Sequence, residues 1–446
     1  MRPLLLLSRL LVGATFIISG LVKANDPLGF SYKLEEYFAE SALNLPFLEP
    51  YALALAMLAC VAEVVLGFAV LFGGRMKLAT GALLALTLFF GWLTAYTATC
   101  DPQGTYTVVE NGVEVEKTVT CVTDCGCFGD AMKGSLGRSL TPWESFSKDM
   151  VLLVFVLPIF LFRKRITWNT DADDKVLLPA AVALLAFYCW VFDWWFPLGL
   201  SIGVFAGYVL IKRVVKAPPA EWVTAGWVTA VAFAFTWYCL QHLPARDYRP
   251  FAVGKNIAEG MAMPEGAEPD VYETILRYRN KNTGEEKDFT KENYPWQDES
   301  WEWVKTTNKL IKAGYHPPIH DFTLTDADEV DVTSYILEEE QPVLLIVSRN
   351  VRTAATHCQP AINALAQAAY DKGWYVYGVT GSGYEAIEEF RHAHQNPFDY
   401  LRGDETNLKT MIRSNPGVVL LRKGTVVAQW HCNDVPGFAQ AEALVK

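Results

Sequence analysis

The chain has 446 residues, of which 51% are hydrophobic and 13% aromatic, and its formal net charge is −11. This apolar fraction, with a positive mean hydropathy of +0.15, argues against an ordinary soluble protein and indicates a membrane protein. Residues 241–446 carry 21 Lys and Arg against 30 Asp and Glu, and an acidic surface without a basic stripe argues against a nucleic-acid partner.

Long apolar stretches are confined to the chain before residue 241. A membrane-crossing helix needs about 20 mostly apolar residues. Seven stretches meet or approach this length: Leu4–Val22, Tyr51–Phe72, Leu78–Thr99, Ser145–Phe162, Val176–Phe192, Pro197–Ile211 and Trp222–Leu240. The fourth is the weakest, because its charge-free part begins only at Met150. We predict a polytopic α-helical membrane protein in contact with membrane lipid.

Basic loops predict the orientation of these spans. Three short basic segments fall on the same side of the alternating spans, at residues 75–77, 163–165 and 212–216. Positive loops favour the cytoplasmic side. We therefore expect a bacterial inner-membrane protein with a cytoplasmic N-terminus, whose residues 23–50, loop 100–144 and chain after Leu240 face the periplasm.

The first span has two interpretations. Val22-Lys23-Ala24 fits a small-x-small cleavage site, which would make the span a removed signal peptide. Arg9 argues for a retained helix, because a charge is unusual in the apolar region of a signal peptide but can be buried against a partner helix. The remaining topology is the same in both cases.

Two motifs stand out in the first 165 residues. The first comprises Arg9, Gly13, Gly20, Lys23 and the run Asp-Pro-Leu-Gly-Phe at 26–30; the second is Cys-Gly-Cys-Phe-Gly-Asp at 125–130. Together they resemble the DoxX/MauE family of small membrane proteins. The resemblance implies a four-helix bundle over residues 1–165, in a family linked to quinone-dependent sulfur oxidation and to disulfide formation in a periplasmic enzyme. This chain departs by adding about three helices at 166–243 and a soluble region.

Charges within or beside the first two spans are candidates for a site. Arg9 lies in the first span, Glu63 in the second, and Lys23 and Asp26 follow the first. A charge in a bilayer is costly and usually faces a partner or a cavity. Two interpretations stay open: an ion pair of Arg9 with Glu63 that fixes helix packing, or a pocket in which all four residues bind a quinone head group or an anion.

The loop 100–144 concentrates four of the nine cysteines: Cys100, Cys121, Cys125 and Cys127. Cysteines in an oxidising compartment usually form disulfides, and four cysteines permit three pairings. A disulfide across the single residue Gly126 would close a strained ring, and strained disulfides are the labile or catalytic ones. We predict that Cys125 and Cys127 exchange disulfides with extracytoplasmic protein thiols, and that Cys100 and Cys121 form a resolving pair.

Two alternatives to this loop chemistry stay open. Two inert disulfides could staple the loop. Four thiolates could instead hold a soft metal such as Cu(I), although zinc sites usually have at least two residues between paired cysteines. We expect no metal.

The soluble part begins with a connector at 244–316. Tyr272–Asn280 and Glu285–Phe289 flank a turn and predict a β-hairpin. Apolar residues at helical spacing predict a helix over Glu299–Ala313.

Residues 317–446 alternate between strand and helix patterns. The predicted strands and helices are Val343–Ser348, Ala355–Tyr370, Trp374–Thr380, Tyr384–His394, Val418–Arg422 and Thr425–Trp430. This order resembles the thioredoxin fold, and Asp321–Thr325 resembles the entry strand of its TlpA- and peroxiredoxin-like members. The resemblance implies a cis-proline at Pro416 beside the active site.

The expected Cys-x-x-Cys of that fold is absent, because its place is taken by Ala355-Thr-His-Cys358. A helix N-terminus lowers a thiol pKa, which makes Cys358 a secondary redox candidate. One cysteine does not complete a dithiol cycle. Cys432, beyond the last strand and beside His431, could supply the second thiol, although that position is usually distant from the active helix. The domain is therefore either a single-cysteine redox domain or an inert binding domain.

The function predicted from the sequence is membrane-bound thiol–disulfide exchange in the periplasm, with the Cys125/Cys127 loop as redox centre and a quinone as a possible acceptor. The alternative is a non-enzymatic scaffold or assembly factor whose thioredoxin-like domain binds an extracytoplasmic partner. A transporter is disfavoured, because the spans show no inverted repeat.

Overall fold

A computed structural model describes residues 2–101, 104–110, 113–122, 126, 128–312 and 314–446; for residues 109, 110, 113, 114, 129, 309 and 310 it describes the backbone alone. The chain forms two compact units. One runs to Lys255 and includes Thr323–Lys446, and the other is Asn256–Phe322. The larger unit contains a helical bundle and a six-stranded sheet domain.

Within the described residues, nine α-helices and one β-hairpin form most of the chain up to Lys255: α1 Arg2–Asn25, α2 Pro27–Phe38, α3 Ala52–Phe72, α4 Met76–Thr99, β1 Thr105–Glu110, β2 Val113–Thr118, α5 Gly129–Leu136, α6 Pro142–Leu161, α7 Asp171–Val191, α8 Phe196–Val214 and α9 Pro219–Gln241. In this described part, six helices are long and apolar enough to cross a membrane, namely α1, α3, α4, α7, α8 and α9. The chain is therefore a polytopic membrane protein. The fourth predicted span, α6, is not among these six, because Glu144, Lys148 and Asp149 lie in its first half. It still runs the length of α4, since Asp149 accepts a hydrogen bond from Thr94 and Ile159 lies in the same apolar cluster as Met76.

Helices α1 and α3 approach each other through glycines. A Cβ atom on Gly67 would lie 2.8 Å from the Gly13 carbonyl oxygen, and one on Gly20 would lie 2.7 Å from a Val64 methyl carbon. Small residues allow membrane helices to come this close, since little hydrophobic force drives association within lipid. The first and second spans therefore form a tightly packed pair.

The three basic segments lie at one end of the bundle. Arg2 pairs with Asp173 at 2.9 Å, and the main-chain N–H of Asn169 donates to the Phe72 carbonyl oxygen at 3.1 Å. Lys212 pairs with Asp174 at 2.6 Å. These contacts join the starts of α1 and α7 to the ends of α3 and α8, as the alternating topology requires.

The smaller unit contains α10 Ile257–Met261 and an antiparallel sheet of β3 Val271–Asn280, β4 Glu286–Thr290 and β5 Trp301–Lys312, in the order β4-β3-β5. The predicted hairpin is confirmed. The predicted helix over Glu299–Ala313 is wrong, because this segment is the strand β5. Its aromatic and β-branched residues favour a strand, and its backbone pairs along nearly the whole of β3, which overrides the helical spacing of its apolar residues.

The sheet domain contains β6 Leu324–Thr325, α11 Thr333–Glu338, β7 Val343–Ser348, α12 Gln359–Asp371, β8 Tyr375–Thr380, α13 Tyr384–His394, β9 Asp399–Gly403, α14 Glu405–Met411, β10 Gly417–Arg422, β11 Thr425–His431 and α15 Phe438–Ala443. The strand order is β11-β10-β7-β8-β9-β6. Strands β7, β8 and β9 are parallel, and the other pairings are antiparallel.

The central strand β7 shows why the order of strands and helices could be predicted from the sequence. All six of its residues are buried, as expected for an apolar strand covered on both faces. Strand β7 and helix α13 have the predicted bounds. Helix α12 begins at Gln359 rather than at Ala355, because Pro360 suits the first turn of a helix and the preceding residues form a loop.

Candidate functional site

A disulfide bond joins Cys358 to Cys432, 74 residues apart in the sequence. Cys358 directly precedes α12, and Cys432 directly follows β11, so the bond ties a helix N-terminus to the end of a strand. Each cysteine is only 4% exposed. The expectation that position 432 lies far from the first long helix of this domain is wrong.

Polar groups connect this disulfide to the membrane bundle. His357 Nε2 lies 3.5 Å from Cys432 Sγ and 2.8 Å from Asn433 Oδ1. Asn433 Nδ2 donates a hydrogen bond to the carbonyl oxygen of Gln241, the last residue of α9, at 2.7 Å. The disulfide therefore lies where the sheet domain meets the end of a membrane-spanning helix.

The loop before β10 contacts both cysteine segments. The main-chain N–H of Ala355 donates to the Asn415 carbonyl oxygen at 2.8 Å, and that of Cys432 donates to Ser414 Oγ at 3.0 Å. The Asn415–Pro416 peptide bond is cis, as predicted. Pro416 therefore belongs to the immediate surroundings of the disulfide.

His431 adds a titratable group beside Cys432. Burial is the main cause that lowers the pKa of His431; Asp434 opposes this effect, while His242 and His357 add to it. Its Nδ1 accepts a hydrogen bond from the main-chain N–H of Asn433 at 3.1 Å, which requires an unprotonated nitrogen. Both observations favour a neutral His431 ring.

Three of these residues also form a set of metal-type donors. One ligand atom from each of His357, Cys358 and Cys432 lies within 4.8 Å of the others. In the disulfide state the two sulfur atoms are bonded to each other and do not act as thiolate ligands.

The extramembrane loop contains a second disulfide, between Cys100 and Cys121. It realises one of the three pairings that the sequence permits and joins the end of α4 to the segment after β2. Cys125 and Cys127 lie outside the described residues, so their exchange chemistry stays a prediction. The following residue, Phe128, lies against the bundle, with its ring 5.4 Å from that of Phe192.

Arg9 has a structural role at the other end of the bundle. Its guanidinium donates to the carbonyl oxygens of Val70 and Leu71, both at 2.9 Å, and to Asn169 Oδ1 at 2.6 Å. These bonds satisfy carbonyl groups in the last turn of α3, which have no partner within the helix. The proposed ion pair of Arg9 with Glu63 is therefore wrong.

The partner of Glu63 is Lys23. The two side chains form a buried salt bridge, in which they are 2% and 3% exposed. Among the described residues, Glu63 Oε2 has no hydrogen-bond partner. Lys23 and Glu63 line a cavity of about 30 Å³ together with Asp149 and Lys148.

This cavity does not fit a quinone. Its volume suits water, whereas ligand pockets usually measure about 300–1,000 Å³. A groove of about 670 Å³ runs between α7 and α8, but its described lining is apolar apart from Arg213 and shares no residue with the Lys23–Glu63 cavity. The four-residue pocket predicted from the sequence does not form, because only Lys23 and Glu63 of the four line this cavity.

Asp26 instead joins the bundle to the sheet domain. Its carboxylate accepts a hydrogen bond from the Gly29 main-chain N–H at 2.8 Å and from Arg413 Nε at 2.9 and 3.0 Å. Burial is the largest single influence and lowers the pKa of Arg413, but Asp26, Asp130 and Tyr32 together outweigh it, so the pKa is raised. The pair is a charged contact between the start of α2 and the end of α14.

Tyr32 lies in the same contact. Its hydroxyl hydrogen-bonds to Arg349, and its ring faces the Lys409 ammonium at 5.2 Å and the Arg413 guanidinium at 5.5 Å. Burial raises the pKa of Tyr32 to about 12. One aromatic side chain of the bundle is thus surrounded by three cations of the sheet domain.

The helices and the disulfide at their end define a membrane protein with a cysteine-bearing sheet domain. Residues 1–103 match the family model of methylamine utilisation protein MauE, so this helical part is MauE-like. Residues 272–313 match a domain of unknown function (DUF8463), which coincides with the sheet β3–β5. A comparison with curated proteins found no match.

A signal for the Cys358–Cys432 pair is present in the sequence. His357-Cys358 and His431-Cys432 are two His-Cys dipeptides, one before the first long helix of the sheet domain and one after the last strand. A repeated dipeptide of two chemically active residues indicates that the positions could meet. Spacing alone did not reveal this, because a disulfide depends on the three-dimensional separation of its cysteines.

Proposed function

We propose that this protein performs thiol–disulfide exchange at the membrane surface, with Cys358–Cys432 as one exchanging pair. The observation that carries the proposal is the position of this disulfide, at the N-terminus of α12 and beside His357 and the Pro416 loop. The sheet domain is proposed to be thioredoxin-like. The central parallel strands and the antiparallel β10–β11 hairpin support this assignment.

Both sulfur atoms have a neighbour that would stabilise a thiolate. The N-terminus of α12 favours negative charge on Cys358, and His357 Nε2, 3.5 Å from Cys432 Sγ, can donate a hydrogen bond to a thiolate at Cys432. In the net reaction, a client dithiol passes two electrons to the disulfide. The client gains a disulfide bond, and Cys358 and Cys432 become thiols that take up the two protons the client releases.

The compartment belongs to the same proposal. The Cys100–Cys121 loop and the sheet domain lie at the end of the bundle opposite the basic segments, and disulfides persist in oxidising compartments. We therefore propose that both lie in the periplasm of a cell with an inner membrane. A C-terminal alkaline phosphatase fusion should be active, and a C-terminal green fluorescent protein fusion exported by the Sec route should be dark; the reverse result would contradict this orientation.

The exchange reaction is tested on the full-length protein in detergent. Glutathione redox buffers, followed by differential alkylation and mass spectrometry, report the oxidised fraction of each disulfide. We expect Cys358–Cys432 to be reduced at redox potentials within the range of a periplasmic or endoplasmic thiol system. In a Cys432→Ser variant, the Cys358 thiol is first activated with a disulfide reagent. It should then trap a reduced client peptide as a mixed disulfide. Cys100–Cys121 in the same sample serves as the matched control.

A specific observation favours a second function, that of a scaffold. Both cysteines are 4% exposed, and Asn433 is hydrogen-bonded to Gln241, as expected for an inert staple at a docking surface. A pair that stays oxidised in all buffers that reduce exposed disulfides, and that captures no peptide, would support the scaffold and exclude exchange at this pair. Cys125→Ser and Cys127→Ser variants test the predicted loop centre separately.

A further inference from the structure

His357, Cys358 and Cys432 are donors that soft metals prefer. Thiolate sulfur and imidazole nitrogen suit Cu(I) and Zn(II), and the three ligand atoms already lie within 4.8 Å of one another. The measured separation of His357 Nε2 and Cys432 Sγ is 3.5 Å. A cation bound about 2.0 Å from nitrogen and about 2.3 Å from sulfur holds these atoms roughly 3.5–3.8 Å apart at tetrahedral or trigonal angles.

The donors become available only after reduction. A dithiol reductant supplies two electrons and two protons, which converts the disulfide into two thiols and the reductant into its own disulfide. Binding of the metal then releases both thiol protons. After reduction, the two sulfur atoms must move apart to the separation of two ligands of one ion.

The donor set favours Cu(I) over Zn(II). Zinc with three protein ligands, as this described cluster offers, needs a water or substrate as a fourth ligand, whereas three soft donors complete the coordination of Cu(I). Two thiolates and a neutral imidazole around Cu(I) carry one net negative charge. The N-terminus of α12, directly after Cys358, stabilises such a charge.

We propose that His357, Cys358 and Cys432 bind one Cu(I) ion when the Cys358–Cys432 disulfide is reduced. The hydrogen bond of His357 Nε2 to Asn433 Oδ1 competes for the ligating nitrogen and is lost on binding. The site is distinct from thiol–disulfide exchange, since it needs only a reduced pair and no client.

The test uses full-length protein in detergent, carrying Cys125→Ser and Cys127→Ser so that the loop thiols do not contribute. The protein is reduced with an excess of a phosphine, the thiols of one portion are counted by alkylation, and a second, unalkylated portion competes anaerobically with a chromogenic Cu(I) chelator. We expect one tightly bound Cu(I) per chain. X-ray absorption should report two sulfur ligands near 2.3 Å and one nitrogen near 2.0 Å, in the range of such bonds.

Substitution of the three ligands tests whether they bind Cu(I). Cys358→Ser, Cys432→Ser and His357→Ala should each weaken binding by about 100-fold or more, exceeding the 10–100-fold typical of outer-shell changes. Cys100→Ser with Cys121→Ser is the matched control and should leave affinity unchanged. A fully reduced protein that takes no copper from the chelator, or equal affinity in all variants, would overturn the proposal. A thiol count that shows no reduction of the pair would contradict both the exchange function and this site.

Discussion

Replacement of Asp26 by Asn should loosen the sheet domain from the bundle. The Asp26 and Arg413 side chains are 23% and 8% exposed, so the pair is largely withdrawn from water. Asn is as good an N-cap as Asp, and Asp26→Asn therefore keeps the start of α2 while removing the charge. Loss of one partner of a buried pair costs about 3–5 kcal/mol. Because Asp26 retains some solvent, we expect the lower end, about 3 kcal/mol, which corresponds to an opening equilibrium on the order of 100-fold larger.

Hydrogen exchange of the full-length protein, followed by mass spectrometry, measures this opening in peptides that cover α2 and α14. The matched control is Asp193→Asn, which removes the exposed partner of Arg246; these side chains are 75% and 44% exposed. An exposed pair contributes less than about 1 kcal/mol, so exchange should change only a few-fold. Equal effects of the two variants would refute the assignment of Asp26–Arg413 as the contact that holds the domain.

Three further variants test other parts of the structure. Gly29→Ala should also accelerate exchange in α14, because its Cβ would lie 2.7 Å from Arg413 Nη2, whereas Gly81→Ala meets no atom within 4 Å and should be silent. The lowered pKa of His431 means that the folded protein binds fewer protons than the unfolded chain, so the stability of the sheet domain should fall as the pH drops below about 6.5. Denaturant unfolding at pH 7 and pH 5 measures this loss, which His431→Gln should reduce; an unchanged pH dependence would contradict it. Glu63→Gln removes the carboxylate of the buried salt bridge with Lys23 and should destabilise the bundle by about 3–5 kcal/mol; a melting temperature within a degree of the parent would contradict the contribution of this salt bridge.

Local patterns predicted much of the fold but little of the candidate site. The apolar spans and the buried strand β7 could be predicted because each depends on residues that are contiguous in the chain. The helix predicted for the β5 segment was wrong because its secondary structure is decided by pairing with β3, about 30 residues earlier, rather than by the spacing of its own apolar residues. The sequence identified Cys358 and Pro416 as neighbours through a fold resemblance, but not the bond to Cys432.

The partners of charged residues in the membrane spans could not be predicted from local patterns either. Arg9 and Glu63 were paired because both are charges in adjacent predicted spans. Arg9 instead binds main-chain carbonyl groups at one end of α3, while Glu63 lies two turns nearer the middle of that helix and pairs with Lys23. Position along the membrane normal decides which charges meet, and this position depends on the register of packed helices.

The buried disulfide and the docking contact together yield a final prediction. Cys358 and Cys432 are 4% exposed and pack in the core of the sheet domain, and Asn433, next to Cys432, bonds to the end of α9. We predict that undocking frees the end of β11 and thereby exposes the sulfur atoms to a client or reductant. Asp26→Asn should therefore accelerate reduction of Cys358–Cys432 by a phosphine by the same factor as it raises opening, on the order of 100-fold, since both follow one equilibrium. The Cys100–Cys121 disulfide is half-buried in the extramembrane loop and should react at an unchanged rate in the same sample. If undocking increases while the reduction rate of Cys358–Cys432 stays constant, docking does not control access to the disulfide.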